Sequence, residues 1–220
     1  MAGEGQWRAL ATVDGRTAAR VAQMRPDTVH TSYLVSVVWM GPSLLTFTLH
    51  PGTQVPGAVT GATSLLAGAE RSAVWASFNS GFQMKDAQGG YSQNWQTVVP
   101  LSIGAASMVM SSDGRLPVMS WPGGAPEAGV VAVRQNLSLL MDHRVLAPSV
   151  NSKVTSDWGK TVGNAAYVWR SGVGVRADGT MVVASGPALS VVTLASAMQA
   201  AGAQSAMELD NYKELTSFIT

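Results

Sequence analysis

Two Asp-Gly pairs constrain this chain more than any other feature of its sequence. Asp113-Gly114 lies inside SMVMSSDGRLPVMS and Asp178-Gly179 inside VGVRADGTMVVA, each between alternating apolar segments. Asp-Gly in that setting favours a tight type I′ hairpin, so both stretches are predicted to be antiparallel strand pairs. The same reading makes Asp113 and Asp178 turn residues rather than catalytic ones. TAARVAQMR, TSYLVSVVWM, LLTFTLH and SAVWASF also read as strands, being rich in Val, Thr and aromatics and bounded by turn formers. Helical spacing appears at Leu194, Ala197, Met198 and Ala201, with Thr193 as N-cap and Gly202 at the left-handed C-terminal position. QSAMELD then alternates like a strand ending at Asp210, and a second short helix is expected over 62–70. The expected fold is α+β: curved, mixed or mostly antiparallel sheets with a few helices, in a single domain over residues 1–220.

Charged residues make up 12% of the chain, about half of the roughly 25% usual in soluble proteins. The surface is therefore built largely from Ser, Thr, Gly, Asn and Gln, as is common in secreted glycan-handling proteins. Net charge is +1, and Lys and Arg are scattered without a run that could track a phosphate backbone, which argues against nucleic acid as a partner. The absence of cysteine removes disulfides, zinc-thiolate sites and thiol nucleophiles. YLVSVVWMGPSLLTFTL is broken by Ser36 and Gly41-Pro42 and is too short for a membrane span. MAGEGQWRAL lacks the features of a signal peptide, and such a start would suit a chain whose export or anchoring segment lies upstream.

Signatures for nucleotide loops, zinc helices and serine elbows are absent. His30, His50 and His143 show no metal-ligand spacing, and His50, in LHPGT at an expected strand end, is the strongest of the three for a site role. Once turn, loop and helix-end acids are set aside, Asp86, Asp142, Asp157, Glu208 and Asp210 remain. In AMELDN, alternation puts Glu208 and Asp210 on one face with Cβ atoms roughly 7 Å apart. That separation suits an acid and base pair in glycosidic cleavage. From spacing alone, two solvated residues on a water-facing strand are the plainer reading. Arg134 in AVRQN and Arg170 in VWRSG sit where a guanidinium could hold phosphate or carboxylate, or make a structural ion pair. Trp7, Trp95, Trp121, Trp158 and Trp169 fall near expected loops or strand ends, where one or two could stack on a sugar.

Phe78-Asn79-Ser80-Gly81-Phe82, Arg170-Ser171-Gly172-Val173-Gly174 with Asp178-Gly179, and the helix, Gly202-Ala203 and Leu209-Asp210 at the end follow one another in the order seen in the phosphodiester glycosidases. The chain resembles that family over roughly residues 70–212, and AVRQNL and GNAAYVWRSG are similar to its bacterial cell-surface branch. It departs where the family continues Leu-Asp with Gly-Gly-Gly-Ser, since Asn211-Tyr212-Lys213-Glu214 stands here. The resemblance implies an extracytoplasmic hydrolase of sugar-1-phosphodiesters of the N-acetylglucosamine type, in a cell wall or exported polysaccharide. Asp210 would do the carboxylate work and Arg170 would hold the phosphodiester, with Glu208 and Asp86 as further carboxylates. Asn79, Ser80 and Gly81 would line the pocket, joined by Arg134, Asn136 and His50. No cofactor is called for; acids near a phosphate can recruit calcium or magnesium, but no ligand spacing argues for either. The rival expectation is a non-catalytic module binding glycan or an anionic polymer, and a third is an intracellular structural protein with no pocket.

Overall fold

The computed structural model describes residues 2–52, 56–152 and 155–220. Its strands in chain order are β1 (Arg8–Val13), β2 (Arg16–Met24), β3 (Val35–Met40), β4 (Ser77–Phe78), β5 (Tyr91–Gln93), β6 (Gln96–Val99), β7 (Ala106–Ser111) and β8 (Val118–Ser120). They continue as β9 (Val130–Gln135), β10 (Leu139–Asp142), β11 (Val145–Leu146), β12 (Val168–Arg176), β13 (Met181–Leu189), β14 (Ala203–Asp210) and β15 (Phe218–Ile219). Among the described residues two α-helices, α1 (Gly68–Ala73) and α2 (Val191–Ala200), accompany them, with short 3-10 turns between β11 and β12. An eight-stranded sheet has the order β1-β2-β3-β13-β12-β14-β10-β11, a five-stranded sheet the order β6-β5-β9-β7-β8, and β15 pairs with β4 alone. Every ladder between these strands is antiparallel.

Both expected hairpins form, but not through type I′ turns. Gly114 and Gly179 have positive φ while Asp113 and Asp178 do not, and Gly179 N–H bonds the Arg176 carbonyl while Arg176 N–H bonds that of Thr180. These are three-residue loops with glycine in the left-handed position. Asp113 Oδ1 and Asp178 Oδ1 accept from the backbone N–H two residues on, so both acids serve the turn.

The two large sheets face each other across one apolar layer. Met40, Val173, Met207 and Leu209 of the eight-stranded sheet meet Tyr91, Met108 and Met110 of the five-stranded one. On the opposite face of the larger sheet, Leu194 and Met198 of α2 pack with Val182 and Ala206. The glycines of SGVGV make that approach possible. A Cβ on Gly174 would lie 2.9 Å from Met198 Cε and 2.7 Å from the Ser205 carbonyl oxygen.

Helix α2 begins earlier than its periodicity suggests. Ser190 is the N-cap, and Thr193 is the third helical residue of a reciprocal capping box; the β-branched Val191 and Val192 disguise the first turn as strand. Its end at Gly202, φ +87°, is as expected. LLTFTLH forms no strand: Leu45, Phe47 and Leu49 instead lay an irregular segment against the inter-sheet core. The short helix runs Gly68–Ala73 rather than over 62–70, and it takes the start of SAVWASF, leaving only Ser77–Phe78 as strand. Since β12 is antiparallel to both neighbours, β13 and β14 run parallel and α2 crosses between them. Residues from these elements meet where β12 begins and β14 ends.

Candidate active site

Strand β14 supplies two carboxylates to the α2 side of its sheet. Met207 and Leu209 enter the inter-sheet core, so alternation turns Glu208 and Asp210 the other way. Glu208 pairs in register with Gly172 and Asp210 with Ser171, a one-residue slip that marks a β-bulge between them. Neither faces water: Glu208 is 0% and Asp210 2% exposed, which overturns the reading of two solvated acids.

Arg170, 3% exposed, meets Glu208. Its Nη1 donates to Glu208 Oε1 and to the Trp158 carbonyl (3.2 Å), and its Nε donates to the Leu189 carbonyl at 3.2 Å. A second bulge, where Ala188 adopts φ +53°, brings Leu189 into place opposite the start of β12. Glu208 Oε2 is buried and has no hydrogen-bond partner among the described residues. Burial pushes the Glu208 carboxyl up to about 7; the Arg170 charge and hydrogen bond pull it down, and the nearby Asp210 adds to the rise.

Asp210 is better solvated by the protein. Asn79 Nδ2 donates to its Oδ2 at 2.8 Å and the Tyr212 N–H to its Oδ1 at 2.9 Å. Burial still raises it above the usual aspartate value, against those two donors, the Asn211 N–H and the Arg134 charge.

The turn after β4 comes next. Gly81 N–H donates to Asn79 Oδ1 (2.9 Å), and Phe82 N–H to Asn136 Oδ1 (3.0 Å). Asn136, wholly buried, donates through Nδ2 to the carbonyls of Glu208 (2.8 Å) and Leu209 (3.1 Å). Arg134 donates to the carbonyls of Phe82 and Gln135, and burial pulls its guanidinium down to about 10. Gly81, φ +142°, is required here because a Cβ would stand 2.9 Å from Arg134 Nη2 and 3.0 Å from Asn136 Oδ1. Ser80 lies half-buried in the same turn.

The structure therefore gathers Asn79, Ser80, Gly81, Arg134, Asn136, Arg170, Glu208 and Asp210, drawn from segments far apart in sequence. His50 and Asp86 do not join them. His50 bonds the Thr63 carbonyl through Nδ1 at 2.8 Å and Glu70 through Nε2 at 3.0 Å. Asp86 is exposed on a turn in which its N–H bonds the Gln83 carbonyl. Trp121 and Trp158 are core residues, while Trp95 is 73% exposed. Arg134 and Asn136 spend their hydrogen bonds on backbone, so they shape the turn and leave substrate contact to others.

Sequence reasoning passed over Gln135, between two residues it singled out. Gln135 Oε1 accepts from Gly90 N–H (2.7 Å) and Ser102 N–H (2.8 Å), and its Nε2 donates to Ser107 Oγ at 3.0 Å. The Gly89-Gly90 pair is explained by the same latch: a Cβ on Gly89 would meet Gln135 Cβ at 2.6 Å, and one on Gly90 the Pro100 carbonyl oxygen at 2.2 Å. Among the described residues no three His, Asp or Glu side chains gather as a cation site would require.

The cluster is closed. Gly159, φ +79°, packs against Phe82 and Asn211, and Asn211 Nδ2 donates weakly to the carbonyls of Trp158 and Lys160, both at 3.4 Å. A surface cavity of about 400 Å³ near Pro51 and Leu65 and another of about 500 Å³ beside Glu4 and Arg25 lie elsewhere.

The fold of facing antiparallel sheets recurs in solved structures of low sequence identity. The chain is similar to the zebrafish N-acetylglucosamine-1-phosphodiester alpha-N-acetylglucosaminidase catalytic domain, auto-inhibited by its pro-peptide, with 13% identity and a TM-score of 0.61 over 97% of this chain and 77% of that one. It is also similar to a hypothetical protein from Synechocystis, with 14% identity and a TM-score of 0.52 over 96% of this chain and 60% of that one. No protein-family model and no curated protein matches the sequence. At these identities the likeness establishes the fold. Among the described residues no helix is long and apolar enough to cross a membrane.

Proposed function

We propose that this protein is a hydrolase of glycosyl phosphodiesters, acting outside the cytoplasm on an N-acetylglucosamine-like sugar in a cell-wall or exported polysaccharide. The observation that carries the reading is Glu208 Oε2, a buried carboxylate oxygen without a partner among the described residues, beside Arg170 and two residues from Asp210. A stability device would have no use for an orphaned oxygen there, because leaving it unpaired costs about 1–3 kcal/mol. The fold it shares with a phosphodiester glycosidase domain supports the same reading.

In the reaction, water adds to the anomeric carbon as its bond to the phosphate oxygen breaks. Asp210, whose donors oppose the rise that burial imposes, takes the proton of that water. Glu208, carrying a proton near neutrality, donates it to the departing phosphate oxygen, which leaves as a phosphomonoester. Phosphate is already a good leaving group, so the proton from Glu208 matters less than it would for an alkoxide. Arg170 Nη2, which bonds no described residue, is the donor left for a phosphate oxygen.

The loop Asn211-Tyr212-Lys213-Glu214 after Asp210 favours one rival, a module that binds glycan or anionic polymer without turnover. Hydrolysis of a chromogenic α-N-acetylglucosamine phosphodiester separates the two, measured for the parent, Asp210→Asn and Glu208→Gln. Activity in the parent that falls by about 10²–10⁴-fold in both variants supports the hydrolase. Sugar-phosphate binding with no turnover in the parent supports the rival.

A further inference from the structure

We infer that Phe218 is a positioning residue for Asp210: strand β15 carries the Asn79 amide onto the Asp210 carboxylate, a role that rests on reading Asp210 as the working carboxylate. Beyond Asp210 the chain loops back on its own site. Leu215 and Thr216 N–H both donate to the Tyr212 carbonyl, at 2.9 and 3.0 Å, which closes a turn. The buried Thr216 then accepts from Ser185 Oγ of β13 at 2.6 Å, pinning the turn to the large sheet.

From there Phe218 and Ile219 pair with Phe78 and Ser77. The Phe218 ring stacks on Phe78 (centroids 5.9 Å, 9°) and meets Trp75 edge-on at 6.1 Å. The residue after Phe78 is Asn79, whose amide returns to Asp210. The segment that leaves Asp210 thus holds the segment that comes back to it.

A competing arrangement would need no strap. Asn136 and Arg134 hold the backbone of Phe82, on the far side of the turn. But Asn79 lies three residues upstream of Phe82, with two soft torsions per residue between them. Strand β4 has no ladder partner among the described residues except β15, so the upstream arm of Asn79 rests on the Phe218 pairing.

The test is the titration of the Asp210 carboxyl carbon, followed by NMR in the full chain, and it needs no turnover. The Asn79 amide is one of the groups that hold Asp210 down against burial, with the Tyr212 and Asn211 N–H groups and Arg134. Asn79→Ala should therefore move the midpoint up. Phe218→Ala should move it the same way by at least half as much, and Phe218→Tyr, which keeps a flat ring, should restore it. If Phe218→Ala does not fold, Ile219→Pro at a 62% exposed position disrupts the same two-residue pairing and should give the same rise. An Asp210 midpoint that stays at the parent value in the folded variant while Asn79→Ala raises it would overturn the role of Phe218. Absence of hydrolysis in the parent would strike the proposed reaction and leave this result standing.

Discussion

Arg170 donates to Glu208 where neither side chain is more than 3% exposed. Burying such a pair is costly, and apolar residues of similar volume often serve a core as well or better. The pair is also incomplete, since among the described residues one Glu208 oxygen has no partner while Asp210, two residues on, accepts from Asn79 and Tyr212. One strand thus holds two acids in different surroundings, the arrangement from which acid and base roles are assigned.

The two halves of the pair should not cost the same to remove. Glu208→Leu strands a buried guanidinium that keeps its proton, and should cost about 3–5 kcal/mol. Arg170→Met leaves a carboxyl already raised by burial, which can take up a proton and become neutral. It should cost less, and the double variant less than Glu208→Leu alone. Urea unfolding at neutral pH checks the order.

Stability should carry the same signature. Because the folded Glu208 carboxyl sits at about 7 against 4.5 for the free group, the folded state holds an extra proton between those values. Its contribution is present below about 4.5 and is lost as pH rises through about 7. Glu208→Gln, which mimics the neutral acid, should gain on the parent across that window, by roughly 3 kcal/mol at most. A difference between the two that does not change with pH would mean that Glu208 ionises normally.

Much of this fold is legible in the sequence where a local rule suffices. Asp-Gly between alternating strands marks both hairpins, and Gly202 marks the end of α2. Strands β5, β6 and β10 escaped because three or four residues are too few to show a period, and β9 because its run Val130–Val133 is apolar throughout and is followed by buried Arg134 and Gln135. At the site, residue types and order pointed to Asn79, Arg134, Arg170 and Asp210. Their partners did not show, because the carbonyls of Trp158, Leu189 and Phe82 are backbone groups placed by bulges and turns. His50 and Asp86 failed for a related reason: proximity to a strand end or to a motif says nothing of which way a side chain turns.

Gly81 offers a test of the turn. Alanine there meets both an unfavourable φ and the Arg134 and Asn136 side chains, so Gly81→Ala should destabilise by about 1–3 kcal/mol and lower turnover by loosening Asn79. Ser190→Ala removes the N-cap of α2, should cost about 1 kcal/mol, and should leave turnover intact. Thermal melts beside a hydrolysis assay distinguish damage at the site from damage elsewhere.

The pH dependence of turnover is the sharpest consequence of the two-acid strand. Asp210 works ionised, so activity should rise with pH through its midpoint, which burial holds above the usual aspartate value. Glu208 works protonated, so activity should fall as pH passes about 7. The result is a bell whose alkaline limb belongs to a carboxyl rather than a histidine or lysine. Glu208→Gln should remove that limb along with most of the rate, while Asp210→Asn should remove the acid limb. An alkaline limb that persists unchanged in Glu208→Gln would assign the proton donor to another group and reduce Glu208 to a counter-charge for Arg170.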